Sequence, residues 1–167
     1  METLINGLLA YAHISYQDAP DEPFDLNELL LEIVDSLAIP PEFTVEIPPN
    51  LPTIMTNRLL LSQVFTNLIS NAVKYHDRAD GQIQITAQAQ AQGYEFAVAD
   101  DGPGIDPENH SRVFEIFQTL NSQKNKESTG IGLAIIKKIV KHRGGHIDLD
   151  SELGQGATFS FTWPLSQ

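Results

Sequence analysis

The sequence predicts a two-layer α/β sandwich of the α+β type, with a mixed sheet whose helices pack on one face. Three observations predict it. Past an N-terminal stretch, apolar residues follow helical or strand spacing in the order helix, strand, helix, strand, strand, helix, helix, strand, strand. Two of the strand pairs are joined by short glycine-bearing turns, as in hairpins. With 167 residues, 41% of them apolar, the chain can bury the core of one domain, and without cysteine it has no disulfide to lean on.

Residues 2 to 16 place Leu4, Ile5, Leu8, Leu9 and Ala12 on one helix face. So short a helix is marginal alone in water and reads as the tail of something larger. QDAPDEPF at 17 to 24, with two prolines and three acids, reads as a linker. The boundary falls near residue 20: residues 1–20 are a helix remnant and linker, and residues 21–167 the domain. Asp25 caps a helix with Glu28 three residues on, and Leu26, Leu29, Leu30, Ile33, Val34 and Leu37 form its buried stripe. FTVEI at 43 to 47 alternates as a strand. From about Thr56 to His76 a long helix is expected, with Leu61, Val64, Leu68 and Ala72 inward. QIQITAQAQ (82 to 90) and YEFAVAD (94 to 100) form a hairpin that runs into the turn-rich DDGPGIDPE.

A short helical piece is expected at 111 to 120, followed by the aperiodic polar segment NSQKNKES, expected to be mobile. TGIGLAIIKKIVKHRGG reads as a helix that begins and ends at glycines, with Leu133, Ile136 and Val140 inward and Lys137, Lys138 and Lys141 outward. HIDLDS and ATFSFTW close the sheet as a second hairpin around ELGQG.

The chain carries 22 acidic against 10 basic residues, a formal charge of −12, and its cations are scattered between Arg58 and Arg143. That balance repels a nucleic-acid backbone, so no nucleic-acid partner is expected. The apolar runs fall far short of the ~20 residues that span a bilayer. Glu2 stands where a signal peptide carries basic charge. The chain reads as cytoplasmic, with no direct membrane insertion.

Four segments carry candidate chemistry. On the long helix Asn67, Ser70, Asn71 and Lys74 share a face through spacings of three and four. Asparagine is a poor helix former, so two of them four apart call for a reason, although an ordinary outer face reads equally well from this helix alone. Mg²⁺ supplies one, because it accepts a single amide oxygen and completes its shell with waters and phosphates. Asn71 suits that role, Lys74 would reach phosphate oxygens as a point charge, and Tyr75 could lie against a nucleobase.

In VADDGPGID, Asp100 ends an apolar strand where a carboxylate can accept from an exocyclic amine, and Gly102 and Gly104 let the backbone approach a flat ligand. Asp-Gly and Pro-Gly are also common turn pairs, and alone the stretch reads as a turn. STGIGLAI offers glycines before a helix, an arrangement that exposes N–H groups to an anion. GQGATF is a glycine turn entering a strand, which a hairpin loop also explains.

The order of five segments, NLISNAVKY, DDGPGI, VFEIF, TGIGL and GQGATF, resembles the ATP-binding catalytic domain of bacterial sensor histidine kinases, of the fold shared with gyrase, Hsp90 and MutL. The likeness covers roughly residues 22 to 165 and implies a Bergerat-type ATP-binding fold. It identifies an N box at 67–74, a G1 box at 100–104, an F box at 114–117, a G2 box at 130–133 and a G3 box at 154–158. By the same resemblance Asn71 holds Mg²⁺, Lys74 contacts phosphate, Tyr75 stacks on adenine, Asp100 reads the adenine amine and Thr158 lies near the base. Asn67, Asn71 and Lys74 make up the implied catalytic set. Ile105, Phe117, Thr129, Gly130, Ile131, Gly132 and Leu133 join the implied nucleotide site, and 118 to 129 is the implied lid. The chain has Ser128 where the family often has a third glycine. Gln118, Thr119 and Leu120 stand where many members have an arginine, which leaves phosphate contact to Lys124 or Lys126.

The resemblance also makes residues 2 to 16 the end of a dimerisation hairpin in the style of phytochrome-like kinases. The cofactors implied are ATP and Mg²⁺. The implied partners are a histidine-bearing dimerisation domain and a response regulator, with the full-length protein a homodimer and this fragment a monomer. None of His13, His76, His110, His142 and His146 has an acceptor setting, so the phosphorylated histidine is expected elsewhere. Asn67 replaces the glutamate that hydrolytic relatives use as a base; an amide takes no proton at neutral pH. A stand-alone ATPase, an anti-sigma-type Ser/Thr kinase and a degenerate nucleotide-binding domain are the rival readings.

Overall fold

The computed structural model describes residues 20–115 and 132–165. Their order is β1 (Glu22–Asp25), α1 (Leu26–Ser36), β2 (Thr44–Glu46), β3 (Thr53–Thr56), α2 (Arg58–Lys74), β4 (Gln82–Gln90), β5 (Gly93–Asp100), a 3₁₀ turn (Pro107–Asn109), α3 (Gly132–His142), β6 (Ile147–Ser151) and β7 (Ala157–Pro164). Five strands form one mixed sheet in the order β2-β4-β5-β7-β6, and β1 pairs with β3 in a separate two-stranded ribbon. β2 runs parallel to β4, while β4–β5, β5–β7 and β6–β7 are antiparallel.

Local chemistry starts and stops the helices. The Asp25 carboxylate accepts from Asn27 N–H (2.8 Å) and Glu28 N–H (3.4 Å), which caps α1. Asn57 does the same for α2 through Leu60 N–H at 3.0 Å. At the end of α3 Gly144 turns to φ +85°, its N–H reaches Lys141 O (3.0 Å), and Gly145 N–H reaches Val140 O (2.9 Å). These are the paired bonds of a glycine-terminated helix.

The helices bury one stripe each against one face of the sheet. Leu29, Leu30 and Ile33 of α1, Leu61, Val64, Phe65 and Leu68 of α2, and Ile136, Ile139 and Val140 of α3 share a core with Ile83, Ile85, Phe96, Val98, Phe159, Phe161 and Trp163. Phe65 meets Phe96 and Phe161 edge-on at 5.4 and 5.5 Å between centroids. Burial of each large side chain contributes about 1.5–3 kcal/mol. The other face of β4 presents Gln84, Thr86 and Gln88 to solvent, so the helices lie on one side as the sequence predicts.

The structure departs from the sequence expectation at four places. Part of the expected linker is strand β1, paired with β3 from Glu22↔Thr56 to Asp25↔Thr53. The long helix begins at Arg58 because Thr56 belongs to β3 and Asn57 is the cap, and it ends at Lys74. The strand expected at 43 to 47 contracts to Thr44–Glu46. Of the helical piece expected at 111 to 120, residues 111–114 are turns that follow the 3₁₀ turn, and 116–120 lie outside the described residues. The helix expected at 2 to 16, the polar segment NSQKNKES and the start of the glycine-opened helix lie outside the described residues.

Candidate functional site

Along α2, Asn67, Ser70 and Asn71 are half-buried and Lys74 is exposed. From Asn67 to Lys74 this edge runs about 10 Å along the helix axis. Gly132, the first residue of α3, lies against it: a methyl group added there would stand 3.8 Å from Asn67 Oδ1 and 3.9 Å from Asn71 Nδ2. The first turn of a helix has N–H groups without intrahelical partners. Such N–H groups favour an anion; the described part of α3 begins at Gly132, beside these two side-chain amides, with no acidic residue in its first turn. Leu133, next in α3, is half-buried against the core.

Past the end of α2, where Tyr75 N–H closes on Asn71 O at 3.0 Å, the chain turns toward the end of β5. Asp100 sits there with its carboxylate Oδ1 accepting from Gly102 N–H at 2.9 Å. Burial pushes its carboxyl up from the ordinary value; the N–H groups of Gly102 and Ala157 and the nearby His76 offset part of that rise. A carboxylate that has given up water is suited to a ligand donor that restores what it lost.

The next residue behaves in the opposite way. Partial burial alone would raise Asp101, but Gln82 N–H (2.8 Å), His76 Nε2 (2.7 Å) and the Arg78 guanidinium (2.6 Å) outweigh it and hold its carboxyl below the ordinary value.

The turns after β5 and β6 are fastened together. Gly104 has φ +77° and Gly156 φ +78°, a conformation that favours glycine. An added methyl would strike Glu152 O at the first and Asp100 O at the second. The buried Ser151 hydroxyl accepts from Ile105 N–H (2.8 Å) and donates to Gly156 O (2.6 Å), while Gly154 N–H reaches Pro103 O (2.7 Å).

Thr158 requires a correction. It pairs with Ala99 on β5, and side chains alternate along a strand. Phe159, Phe161 and Trp163 occupy the inner face, so Thr158 emerges on the opposite face from Asp100. The residue set opposite Asp100 is Ala157, which is buried. Counting back by twos from Phe159 would have found it. Ser151, His76 and Asp101 also escaped sequence reading, since each acts through bonds to distant parts of the chain.

Phe114 meets Phe159 edge-on at 6.0 Å, with Lys137 Nζ 5.8 Å from its ring centroid. Phe117, Lys124, Lys126, Thr129, Gly130 and Ile131 lie outside the described residues. Among the described residues no cluster of three or more His, Cys, Asp or Glu could hold a metal ion by itself. No described helix is long and apolar enough to cross a membrane.

Residues 56–167 match the profile described as histidine kinase-, DNA gyrase B- and HSP90-like ATPase. The chain belongs to this family. Within the family it is 39% identical over 170 residues to cyanobacterial phytochrome A of Nostoc sp. (strain PCC 7120), an alignment that covers 99% of this chain and 22% of the relative. The chain therefore spans about a fifth of that relative's length. Full-length ShkA, solved in complex with AMPPNP, superposes with a TM-score of 0.80 at 30% identity, covering 98% of this chain and 35% of ShkA. The nucleotide-free catalytic domain of the histidine kinase ThkA superposes with a TM-score of 0.72 at 28% identity, covering 88% of this chain and 97% of that domain. The sandwich of the ATPase family is thus the fold described above.

Proposed function

We propose that the chain is the Mg·ATP-binding catalytic module of a two-component sensor histidine kinase, with residues 21–167 as the catalytic domain and residues 1–20 as a helix remnant and linker. It would give the γ-phosphoryl group to a histidine on a dimerisation domain carried by another segment or subunit, from which a response regulator would receive it. The observation that carries this reading is the meeting of Gly132 with Asn67 and Asn71. It sets the described beginning of α3 beside an amide-bearing helix edge whose continuation leads to the half-buried carboxylate of Asp100.

In this reading Asp100 accepts a hydrogen bond from the adenine amine. Tyr75 lies against the base, and Gly102, Gly104 and Ile105 form the backbone wall beside it. Lys74 approaches phosphate oxygens as a compact charge. Gly132 and Leu133 would offer N–H groups to the same anion, and the family resemblance adds Thr129, Gly130 and Ile131 to them. Lys124 or Lys126 would contact phosphate, and Phe117 would join the nucleotide site. Asn71 suits Mg²⁺ because its one hard oxygen would be supplemented by waters and phosphate. The metal would neutralise phosphate charge, a large part of catalysis in phosphoryl transfer. Asn67, an amide beside Gly132, can orient groups but not accept a proton, so water attack would be slow. The setting is the cytoplasm, with the whole protein a homodimer and this fragment monomeric.

The test is calorimetry followed by transfer. The chain should bind Mg·ATP better than Mg·GTP and should label a separately supplied dimerisation hairpin bearing the acceptor histidine, while remaining unlabelled itself. A chain that binds ATP and GTP equally, or labels its own histidines, contradicts the reading.

A further inference from the structure

The side chain of His76 is fully enclosed, yet the nucleotide reading gives it no task. It follows the last turn of α2 and fills the gap between that helix end and the turn after β5. A methyl added to Gly81 would meet its ring at 2.6 Å and one added to Gly102 would meet it at 3.4 Å. Phe43 closes a third side edge-on, with centroids 5.3 Å apart. Both ring nitrogens are engaged. Nδ1 accepts from Arg78 N–H (3.0 Å), which leaves Nε2 as the N–H that donates to Asp101 Oδ1 (2.7 Å).

That second bond reaches the base end of the site in one step. Asp101 is also held by Gln82 N–H and the Arg78 guanidinium. The residue before Asp101 is Asp100, and the residue after it, Gly102, supplies the N–H that fixes Asp100 Oδ1. The imidazole thus lies beneath the three-residue turn that aims the Asp100 carboxylate.

We propose that His76 is a positioning residue for base recognition: through Asp101 and Gly102 it fixes the orientation in which Asp100 meets the adenine amine. The proposal rests on the assignment of Asp100 to adenine. Imidazole fits this place because it is flat enough to lie between two glycines and carries a donor and an acceptor on separate edges. Phenylalanine would retain the ring and lose both bonds. Asparagine would offer an acceptor near Nδ1 without the donor to Asp101, and glutamine a donor near Nε2 without the acceptor.

Calorimetry with Mg·ATP, Mg·ADP and Mg·GTP on the unmutated chain, His76→Asn, His76→Gln and His76→Phe, with thermal unfolding of the same samples, tests the proposal. His76→Asn should lose about tenfold in ATP affinity, the scale of one lost hydrogen bond to a charged group. ADP should fall in parallel, and the preference for ATP over GTP should shrink by the same factor. His76→Gln should recover most of that preference and His76→Phe should not. If His76→Asn fails to fold, the Gln and Phe pair decides: a preference retained by both or lost by both overturns the proposal. So does a loss of ATP and GTP affinity in equal measure that tracks thermal stability, which is what a merely structural histidine would give. If the unmutated chain shows no preference for ATP, the Asp100 assignment fails and takes this proposal with it; if it prefers ATP and His76→Asn does too, only the role of His76 fails.

Discussion

Arg143 and Asp21 meet across 122 residues of sequence, with the guanidinium Nη2 3.1 Å from one carboxylate oxygen and 3.3 Å from the other. The same nitrogen donates to Thr56 Oγ1 at 3.2 Å, and Thr56 accepts the indole N–H of Trp163 at 2.9 Å. The arginine also lies over the Trp163 ring, 5.8 Å from its centroid. One cluster therefore ties the residues just ahead of β1 to the end of α3 and to the last strand.

Thr56 is the acceptor on which this cluster turns, and it is completely buried. Thr56→Val preserves shape but leaves the Trp163 N–H without a partner, which should cost about 1–3 kcal/mol. Trp163 is the single tryptophan, so its fluorescence during urea unfolding reports on this site. An unchanged midpoint would mean that the hydroxyl contributes nothing.

Asp100 and Asp101 should titrate on opposite sides of the ordinary aspartate value of 3.8. For Asp100, raised by burial, the folded chain holds the proton more tightly than the unfolded one. Its contribution to folding is therefore full below the unfolded value and is lost as pH rises through the folded value. For Asp101, lowered chiefly by Gln82 N–H, His76 and Arg78 against its own burial, the contribution is present above the unfolded value and is lost as pH falls through the folded one. Carboxyl carbon titration by NMR, assigned with the two Asn variants, would separate them; coincident curves would contradict the structure.

Gly132→Ala should fold at least as well as the unmutated chain, because the added methyl meets its neighbours at ordinary contact distance. Alanine in a helix gains up to about 1 kcal/mol over glycine. The methyl stands beside Asn67 and Asn71, so Mg·ATP affinity should fall severalfold even as the melting temperature holds or rises. Affinity and stability rising together would remove this space from the nucleotide site.

Legibility differed by element for physical reasons. α1 could be read from its cap and stripe because Asp25, Glu28 and the leucines signal within one short window. β1 and β3 could not: EPFD has no alternation, and its strand character comes from pairing with residues about thirty positions away. Within the candidate site, order and spacing singled out Asn71, Lys74 and Asp100, and the structure shows the first two along one edge of α2 and the third at the end of β5. Thr158 was misplaced because a shift of one residue along a strand changes the face on which a side chain emerges. His76 was read only as lacking an acceptor setting, because its enclosure comes from the packing of Gly81, Gly102 and Phe43 around it, which no local pattern announces.

In the proposed nucleotide site the Ser151 hydroxyl, bonded at once to Ile105 and Gly156, would give the base end the character of a stationary jaw. Its donors and acceptors are set before any ligand arrives, so adenosine would lose its own freedom on entering while costing the protein little additional ordering. AMP, ADP and ATP would then share one constant increment of affinity from this jaw. Whatever distinguishes the three would then arise where Gly132 faces the two asparagines of α2.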